Sequence, residues 1–548
     1  MENADKQKLP LLTRLKQAFG PKDLTQGTIW KTIVAFSLPI FVSYILQELY
    51  VLVDSAICGH TLAPTEVAGV NNTAAIWFIF MQFAYGCTAG MSVMISRKIG
   101  ERNEDGVRKE FATQIVLGLI ICAVVTTVSL LSIKPLLRLL GIAPDNGGTN
   151  NEVFRAAFTY ISIICGGMIG QFFYNSICCT LRAMGDSFTP LVFLLISTLL
   201  NIALDLLFIM AFHWGVAGAA IATVVSQTLS AIACFIYTFV HYKQMRLKLS
   251  DFRAIRFKPM MRTLWQGVPL GLQFSVLAFG ILTMSNVVIA FDKNAAGVMV
   301  DGTPAQLGYS AACKLDDVFM TPLNAIGTGM ISFCGQNLGA GKDERIRKGV
   351  KQAVLITIVL SVIESGIILL LSINGAYQHL YLSADKITDK TVEFGNTYLY
   401  SVVPVFFTLG LIFVLRSCLQ GIGKPIYPIL VGAAELSGRI LICLLLPKAV
   451  NGAPIDSNAS RLAFFCVGLG DVGAWIAADI ILIGASIKYF FIKPKSSATD
   501  EKMSPTDDAA PTQLSAETAE SEIMSTELES EKTEAIEPQA PPPELDAP

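Results

Sequence analysis

Charge is scarce in this chain. Only 15% of its 548 residues are Asp, Glu, Lys or Arg, and 53% are hydrophobic. Soluble globular domains usually carry about a quarter charged residues. Several stretches of 18 or more residues hold no charge at all, which excludes an ordinary soluble enzyme and points to a polytopic membrane protein. Histidine is scarcer still: His60, His213, His241 and His379 lie far apart. The twelve cysteines show no CxxC or Cys/His spacing, so neither a metal site nor a disulfide framework is read from them. Cysteines such as Cys122, Cys165, Cys234 and Cys443 fall in apolar runs and read as small buried hydrophobes. No GxxxxGK(S/T) loop occurs, so ATP drive is not supported. Neither a cleavable signal peptide nor an alternating barrel pattern is seen.

What is present is a set of long apolar runs. Residues 67–96, 111–133, 156–181, 215–240, 263–291, 318–341 and 396–415 are free of charge. Five more, at 32–58, 187–210, 352–377, 425–447 and 462–487, are interrupted by one or a few charges. Each of these twelve is long enough to cross about 30 Å of hydrocarbon at about 1.5 Å per residue. The expected fold is therefore all-α, with twelve transmembrane helices. Assigning both termini and the loops after even-numbered spans to one side collects 29 basic residues there against 9 on the other. By the positive-inside rule both termini are expected in the cytoplasm. Residues 9–20 mix Leu and Phe with Lys and Arg, as an interfacial amphipathic helix does. From Thr499 onward 14 acidic residues outweigh 2 lysines, and the tail is almost free of aromatics. Residues 493–548 are expected to be a disordered acidic tail.

The chain repeats itself. Gly90-Met91 heads GMSVMISRKIGERNEDGVRK, and Gly329-Met330 heads GMISFCGQNLGAGKDERIRK, 239 residues later. Gly185 and Pro190 in LRAMGDSFTP match Gly423 and Pro428 in LQGIGKPIYP, and Tyr160 matches Tyr398, all at 238. Pro39 matches Pro269. Two pseudo-symmetric six-helix bundles follow: a cytoplasmic arm at 1–31, one lobe at 32–242, a basic link at 243–262 and a second lobe at 263–492. Parallel repeats of this kind suit a secondary transporter with its substrate path between the halves. A duplicated receptor or scaffold, its acidic tail recruiting partners, is the non-transporting alternative.

Polar residues inside the runs carry the chemistry. Asp54 lies late in the first run, beyond Pro39, which removes a backbone donor and lets a helix bend. Asn201 and Asp205 stand four apart on one helical face. An unpaired carboxylate at this depth is costly unless it is protonated, paired or bound to a cation. Asp54 and Asp205 have no basic partner inside the first six runs, so they either share a proton or, with Asn201, Thr223 and Tyr160, offer oxygens to a hard cation such as Na+. In the second half Arg439 takes the repeat position of Asn201, and Cys443 that of Asp205. A fixed guanidinium there reads as half of a structural ion pair, with Glu435 or Asp479 as its partner.

Together SLPIF…LVDSAICGH, GMSVMISRKIG, LRAMGDSFTP, LLNIALDLLFI, GVAGAAIAT and LGYSAACKLDDVFMTPLNAIGTGMISFCGQNLGAGKDERIRKG resemble the multidrug and toxic compound extrusion (MATE) family over about residues 28–492. The DinF-type branch is the most similar. The resemblance implies a V-shaped pair of lobes, no enzymatic activity, and export of small cationic or amphipathic compounds in exchange for H+ or Na+. It implies a coupling-ion site at Asp54, Tyr160, Asn201, Asp205 and Thr223, a helix hinge at Pro39, and substrate contacts on or near Gln47, Tyr50 and Asn175. The span-seven Glu usual in other branches is missing; Gln273 stands in GVPLGLQFSVLAF. The expected partners are a small-molecule substrate and the lipid of a plasma membrane, with no nucleic acid and with function as a monomer. A lipid-linked sugar flippase is the alternative within the superfamily. Only Arg439 is counted inside a span, too few arginines for a pyrophosphate.

Overall fold

The computed structural model describes residues 20–142 and 149–492. The amphipathic segment (except Gly20) and the acidic tail fall outside the described residues. Within them the only β pairing is an isolated bridge between Lys293 and Met299. The first half contains α1 (Ile29–Thr61), α2 (Pro64–Asn72), α3 (Ala74–Gly100), α4 (Glu104–Leu139), α5 (Thr149–Gly166), α6 (Met168–Ala183), α7 (Phe188–Asp205) and α8 (Gly215–His241). A short α9 (Leu249–Arg253) lies in the link. The second half contains α10 (Phe257–Ala290), α11 (Pro304–Gly339), α12 (Asp343–Ser372), α13 (Asp389–Val402), α14 (Phe406–Gly421), α15 (Ile426–Asn451) and α16 (Arg461–Ser486).

Among the described residues eleven helical segments are long and apolar enough to span, counting α2 with α3 and α13 with α14. The pair α5–α6, bent by 48° at Gly167, makes the twelfth. The repeat is visible in the turns. Gly185 and Gly423 both have positive φ, 91° and 78°, and each is followed by a proline in the first turns of the next helix. The link is shorter than the sequence suggested, because α10 already begins at Phe257.

The two halves interlock through their first helices. Ile33, Phe36 and Ile40 of α1 belong to the apolar core of the second half, with Met330, Val350 and Phe406. Farther along the same helix, Cys58 packs with Ala156, Ile209 and Ala219 of the first half. Pro39 lies near the crossover. The repeat mate of α1, α10, does the reverse: Met260, Leu264 and Val268 pack against the first half's core, and Met284 and Val288 lie in the second's. The expected boundary at residue 32 therefore cuts a helix that serves both cores.

At the end of the bundle carrying Arg97, Lys98 and Arg345, backbones touch across the halves. A Cβ on Gly86 would fall 2.6 Å from the Gly271 Cα, and one on Gly90 would strike the Gln266 carbonyl oxygen. Gly100 and Gly339 face the carbonyls of Gln336 and Arg97 in the same way. Small residues let helices approach this closely.

The segment before α1 is strapped over this seam. Lys22 N donates to Gly185 O in the first half at 3.0 Å. Leu24 N donates to Gln336 Oε1 in the second at 3.2 Å, and Asn337 Nδ2 donates to Leu24 O at 3.1 Å. Gln336 also donates to Ala183 O at 2.8 Å. Burial raises the Asp23 carboxyl, but hydrogen bonds from Thr25 and Gln26 and the nearby Lys342 outweigh it and hold it below the usual carboxylate range. Pro39 has no N–H for the carbonyl of Ala35, and Lys22 Nζ donates to that carbonyl at 3.5 Å.

Gly100→Ala and Gly339→Ala are each expected to cost about 1–3 kcal/mol by overpacking. Gly366→Ala, whose Cβ meets nothing within 4 Å, should be neutral or stabilising. Thermal melts of the purified protein check this; equal midpoints for all three variants would contradict the contact.

Candidate functional site

The first half gathers its polar residues into one cluster. α1 supplies Tyr50, Asp54 and Cys58, α5 supplies Tyr160, α7 supplies Asn201 and Asp205, and α8 supplies Thr223. Asn201 and Asp205 are fully buried, and the other members are mostly half-buried. Asp54 and Asp205 face each other, with Tyr50, Cys58 and Tyr160 within electrostatic reach. Asn201 Nδ2 donates to Thr223 Oγ1 at 3.5 Å. No donor reaches Asp54 Oδ1, either carboxyl oxygen of Asp205, or Asn201 Oδ1. Directly after Asp205 the helix widens into a π-helical turn, Leu206–Ala211, a local irregularity common at functional sites. The structure thus brings Asp54, Tyr160, Asn201, Asp205 and Thr223 together. Among the described residues no group of three or more His, Cys, Asp or Glu is placed to hold a metal ion. A bound cation here would have to draw on the two acids plus neutral oxygens.

The three residues suggested as substrate contacts separate. Tyr50 joins the acid cluster, facing Thr223. Gln47 is exposed on α1, and Asn175 is half-buried on α6. Beyond Tyr44, α1 is exposed at Gln47, Glu48, Leu49 and at residues 51–53, so this stretch stands clear of its neighbours. Glu48 lies within electrostatic reach of Asp317 on α11, where Lys314 and Asp317 are also exposed. Glu48 went unremarked in the sequence, since a lone acid in a long span carries no spacing pattern.

The second half pairs Arg439 within itself, but not with the expected partner. Arg439 Nη2 pairs with Asp471 Oδ1 at 2.5 Å, and Tyr398 OH donates to Asp471 Oδ2 at 2.9 Å. Both ionised side chains are more than nine-tenths buried. Glu435 instead accepts a hydrogen bond from Gln273 Nε2 at 3.4 Å, and no donor reaches Asp479. The cause is helix register. α15 and α16 pair so that Cys443 Sγ donates to Val467 O at 3.4 Å, which sets Arg439 level with residues 470–474. Asp479 stands eight residues beyond Asp471, about 12 Å along the helix. Asp471 has no acidic counterpart in the first half, so the repeat comparison passed over it. Two further arginines were missed. Arg182 and Arg416 were counted with the loops, but α6 and α14 run through them, and both are buried.

Arg439→Gln and Asp471→Asn should each lower the yield of folded protein, since breaking a buried pair costs about 3–5 kcal/mol. The double variant should recover part of that loss. Fluorescence-detected size exclusion reads the yield; rescue by Glu435→Gln in place of Asp471→Asn would reassign the partner.

Comparison with known proteins agrees with the helical membrane fold. The MatE family model matches residues 39–207 and 298–445, more than half of the chain. The probable multidrug resistance protein YpnP of Bacillus subtilis is 29% identical over 327 residues, 59% of this chain and 68% of that protein. The probable multidrug resistance protein YoeA of the same organism is 23% identical over 500 residues, 89% of this chain and 98% of that protein. A multidrug resistance MATE family transporter solved in an outward-facing conformation superimposes with a TM-score of 0.71 at 21% identity, covering 85% of this chain and 97% of that one. With two halves that repeat each other and a helical fold shared along nearly its whole apolar length, the chain belongs to the MatE family of multi-pass membrane transporters and is not an enzyme.

Proposed function

We propose that this protein is a secondary antiporter that exports small amphipathic or cationic organic compounds from the cytoplasm, driven by H+ or Na+ loaded between Asp54 and Asp205. The observation that carries the reading is the pair of acids. They face each other without a basic partner, and their buried oxygens lack donors. Such a pair is stable in hydrocarbon when it takes up a proton or a cation, so its occupancy follows the ion gradient. Tyr160, Asn201 and Thr223 supply neutral oxygens around it. Two relatives named as probable multidrug resistance proteins support the class of substrate. The basic end, with both termini, is assigned to the cytoplasm of a plasma-membrane protein, and residues 32–242 and 263–492 act as the lobes.

Ion occupancy reaches the substrate path through α1. One carboxyl of the pair stands on this helix and the other on α7, so a shared proton or cation ties α1 to the first half. The helix is anchored in the second half's core as far as Tyr44, and beyond it exposes Gln47, Glu48, Leu49 and residues 51–53 while Tyr50 faces Thr223. Loss of the ion releases the stretch beyond Tyr44 from the first half, and a bend eased by Pro39 then reshapes the face that Gln47 and Glu48 expose. The protein acts as a monomer, since each protomer carries both lobes.

Asp54→Asn and Asp205→Asn are each expected to abolish gradient-driven ethidium efflux from proteoliposomes while membrane insertion stays at the wild-type level. Imposing a pH gradient and a Na+ gradient separately names the coupling ion. Wild-type efflux in both variants would remove the acid pair from the mechanism. Pro39→Ala should slow efflux more than it weakens ethidium binding; equal loss of both would argue against the hinge.

A further inference from the structure

The seam between the halves holds two permanent positive charges that no acid pairs. Arg182, in the last turn of α6, is only 9% exposed, and its Nε is buried without a hydrogen-bond partner. Arg416, in α14, is 5% exposed. Neither makes a salt bridge among the described residues. They belong to different halves but converge on the same groups, since both lie within electrostatic reach of Tyr44 and Tyr85.

The surroundings of these arginines are aromatic. Tyr44 OH is hydrogen-bonded to Tyr85 OH at 3.1 Å and to Thr328 Oγ1 of the second half at 2.9 Å. The Arg416 guanidinium lies 5.1 Å from the Phe274 ring and 5.3 Å from that of Phe413. Tyr85 and Phe274 stand 6.1 Å apart, centroid to centroid. All four rings are half-buried. One carboxylate, Glu435, is in reach of Arg416, but it takes its hydrogen bond from Gln273 and leaves the cluster with net positive charge. Directly beneath, Gln336 donates to Ala183 O and Gln420 donates to Gln266 O, both at 2.8 Å, and these bonds close the floor.

We propose that Arg182 and Arg416 form an anion clamp at the seam between the halves, taking the carboxylate or phosphate of an aromatic substrate whose ring lies against Tyr85 and Phe274. A guanidinium binds either group with two parallel hydrogen bonds, and its flat face tolerates an aromatic wall where an ammonium would stay hydrated. A guanidinium left without an acid in a dry seam is costly, and an anion shared by the two relieves both at once. Because each half supplies one arginine, the clamp exists only while the floor is shut. Separation of the halves at this end splits it and weakens the hold on the anion. The clamp deepens the exporter reading and rests on it for its role in transport. Binding itself does not depend on a gradient.

The test titrates the purified full-length protein in detergent with three probes that share a ring: 1-naphthoate, 1-naphthyl phosphate and 1-naphthylmethylammonium. Calorimetry should show at least one anion binding tenfold or more tightly than the ammonium, and which anion it is separates carboxylate from phosphate. Arg182→Gln and Arg416→Gln should each weaken that anion at least tenfold and leave the ammonium within twofold. If a Gln variant aggregates, the Lys variant stands in and should retain part of the anion affinity. An ammonium that binds the wild type as tightly as either anion, or monodisperse Gln variants with undiminished anion affinity, would overturn the clamp. Gradient-driven export of the bound naphthyl anion from proteoliposomes is scored separately: its absence, together with that of ethidium efflux, beside intact anion binding would sink the exporter reading and leave the clamp standing.

Discussion

The halves are joined by an exchange of helix ends. α1 begins in the core of the second half and finishes in that of the first, and α10 does the converse. Each helix carries a proline, Pro39 or Pro269, in the stretch packed on the opposite half that leads into its crossover. A helix shared between two cores cannot follow both when they move, so strain concentrates where it changes allegiance. A proline in that stretch gives up one backbone hydrogen bond in advance and lowers the cost of bending. In α1 the abandoned carbonyl of Ala35 is met by Lys22, so the weak point is supported from the strap that also bridges the seam.

The same two-half plan handles buried charge in opposite ways. In the second half, Arg439 neutralises Asp471 and Tyr398 completes the acid's hydrogen bonding. That arrangement is self-sufficient and has no use for an external ion. In the first half, the repeat position of Arg439 is Asn201, a residue that brings no charge. Asp54 and Asp205 are left to be satisfied from outside, by a proton or a cation. Duplication supplied two similar frames, and a few substitutions, Asn201 against Arg439, Asp205 against Cys443 and Val216 against Asp471, separate an ion pair held within the protein from an acid pair left open.

Much of this was legible in the sequence. Hydrophobic length alone gave the spans, and the fixed offset of glycines and prolines gave the duplication. The acid cluster was readable because Asn201 and Asp205 sit one turn apart and Asp54 has no basic neighbour in its half. What escaped reading depended on register and on where helices end. Asp471 faces Arg439 only because α15 and α16 meet at one particular level, which no spacing within a single helix reveals. Arg182 and Arg416 sit at the margins of their apolar runs, where a charge reads equally well as a loop residue. Their burial comes from packing across the seam. The exchange of helix ends was hidden for a similar reason: the apolar pattern of α1 says that it is buried, not in whose core.

The strap before α1 has a consequence for how the protein is made. Leu24 leaves the ribosome well before its partner Gln336, which lies 312 residues downstream. At about 5–20 residues per second of synthesis, the strap waits roughly 15–60 s for the groups that will hold it. During that interval the first half is already in the bilayer with the seam unformed and Pro39 without its lysine-capped carbonyl held in place. Docking of the strap is therefore a late event in biogenesis, completed only after α11 has been inserted, and it converts two independently threaded bundles into one machine with a sealed end.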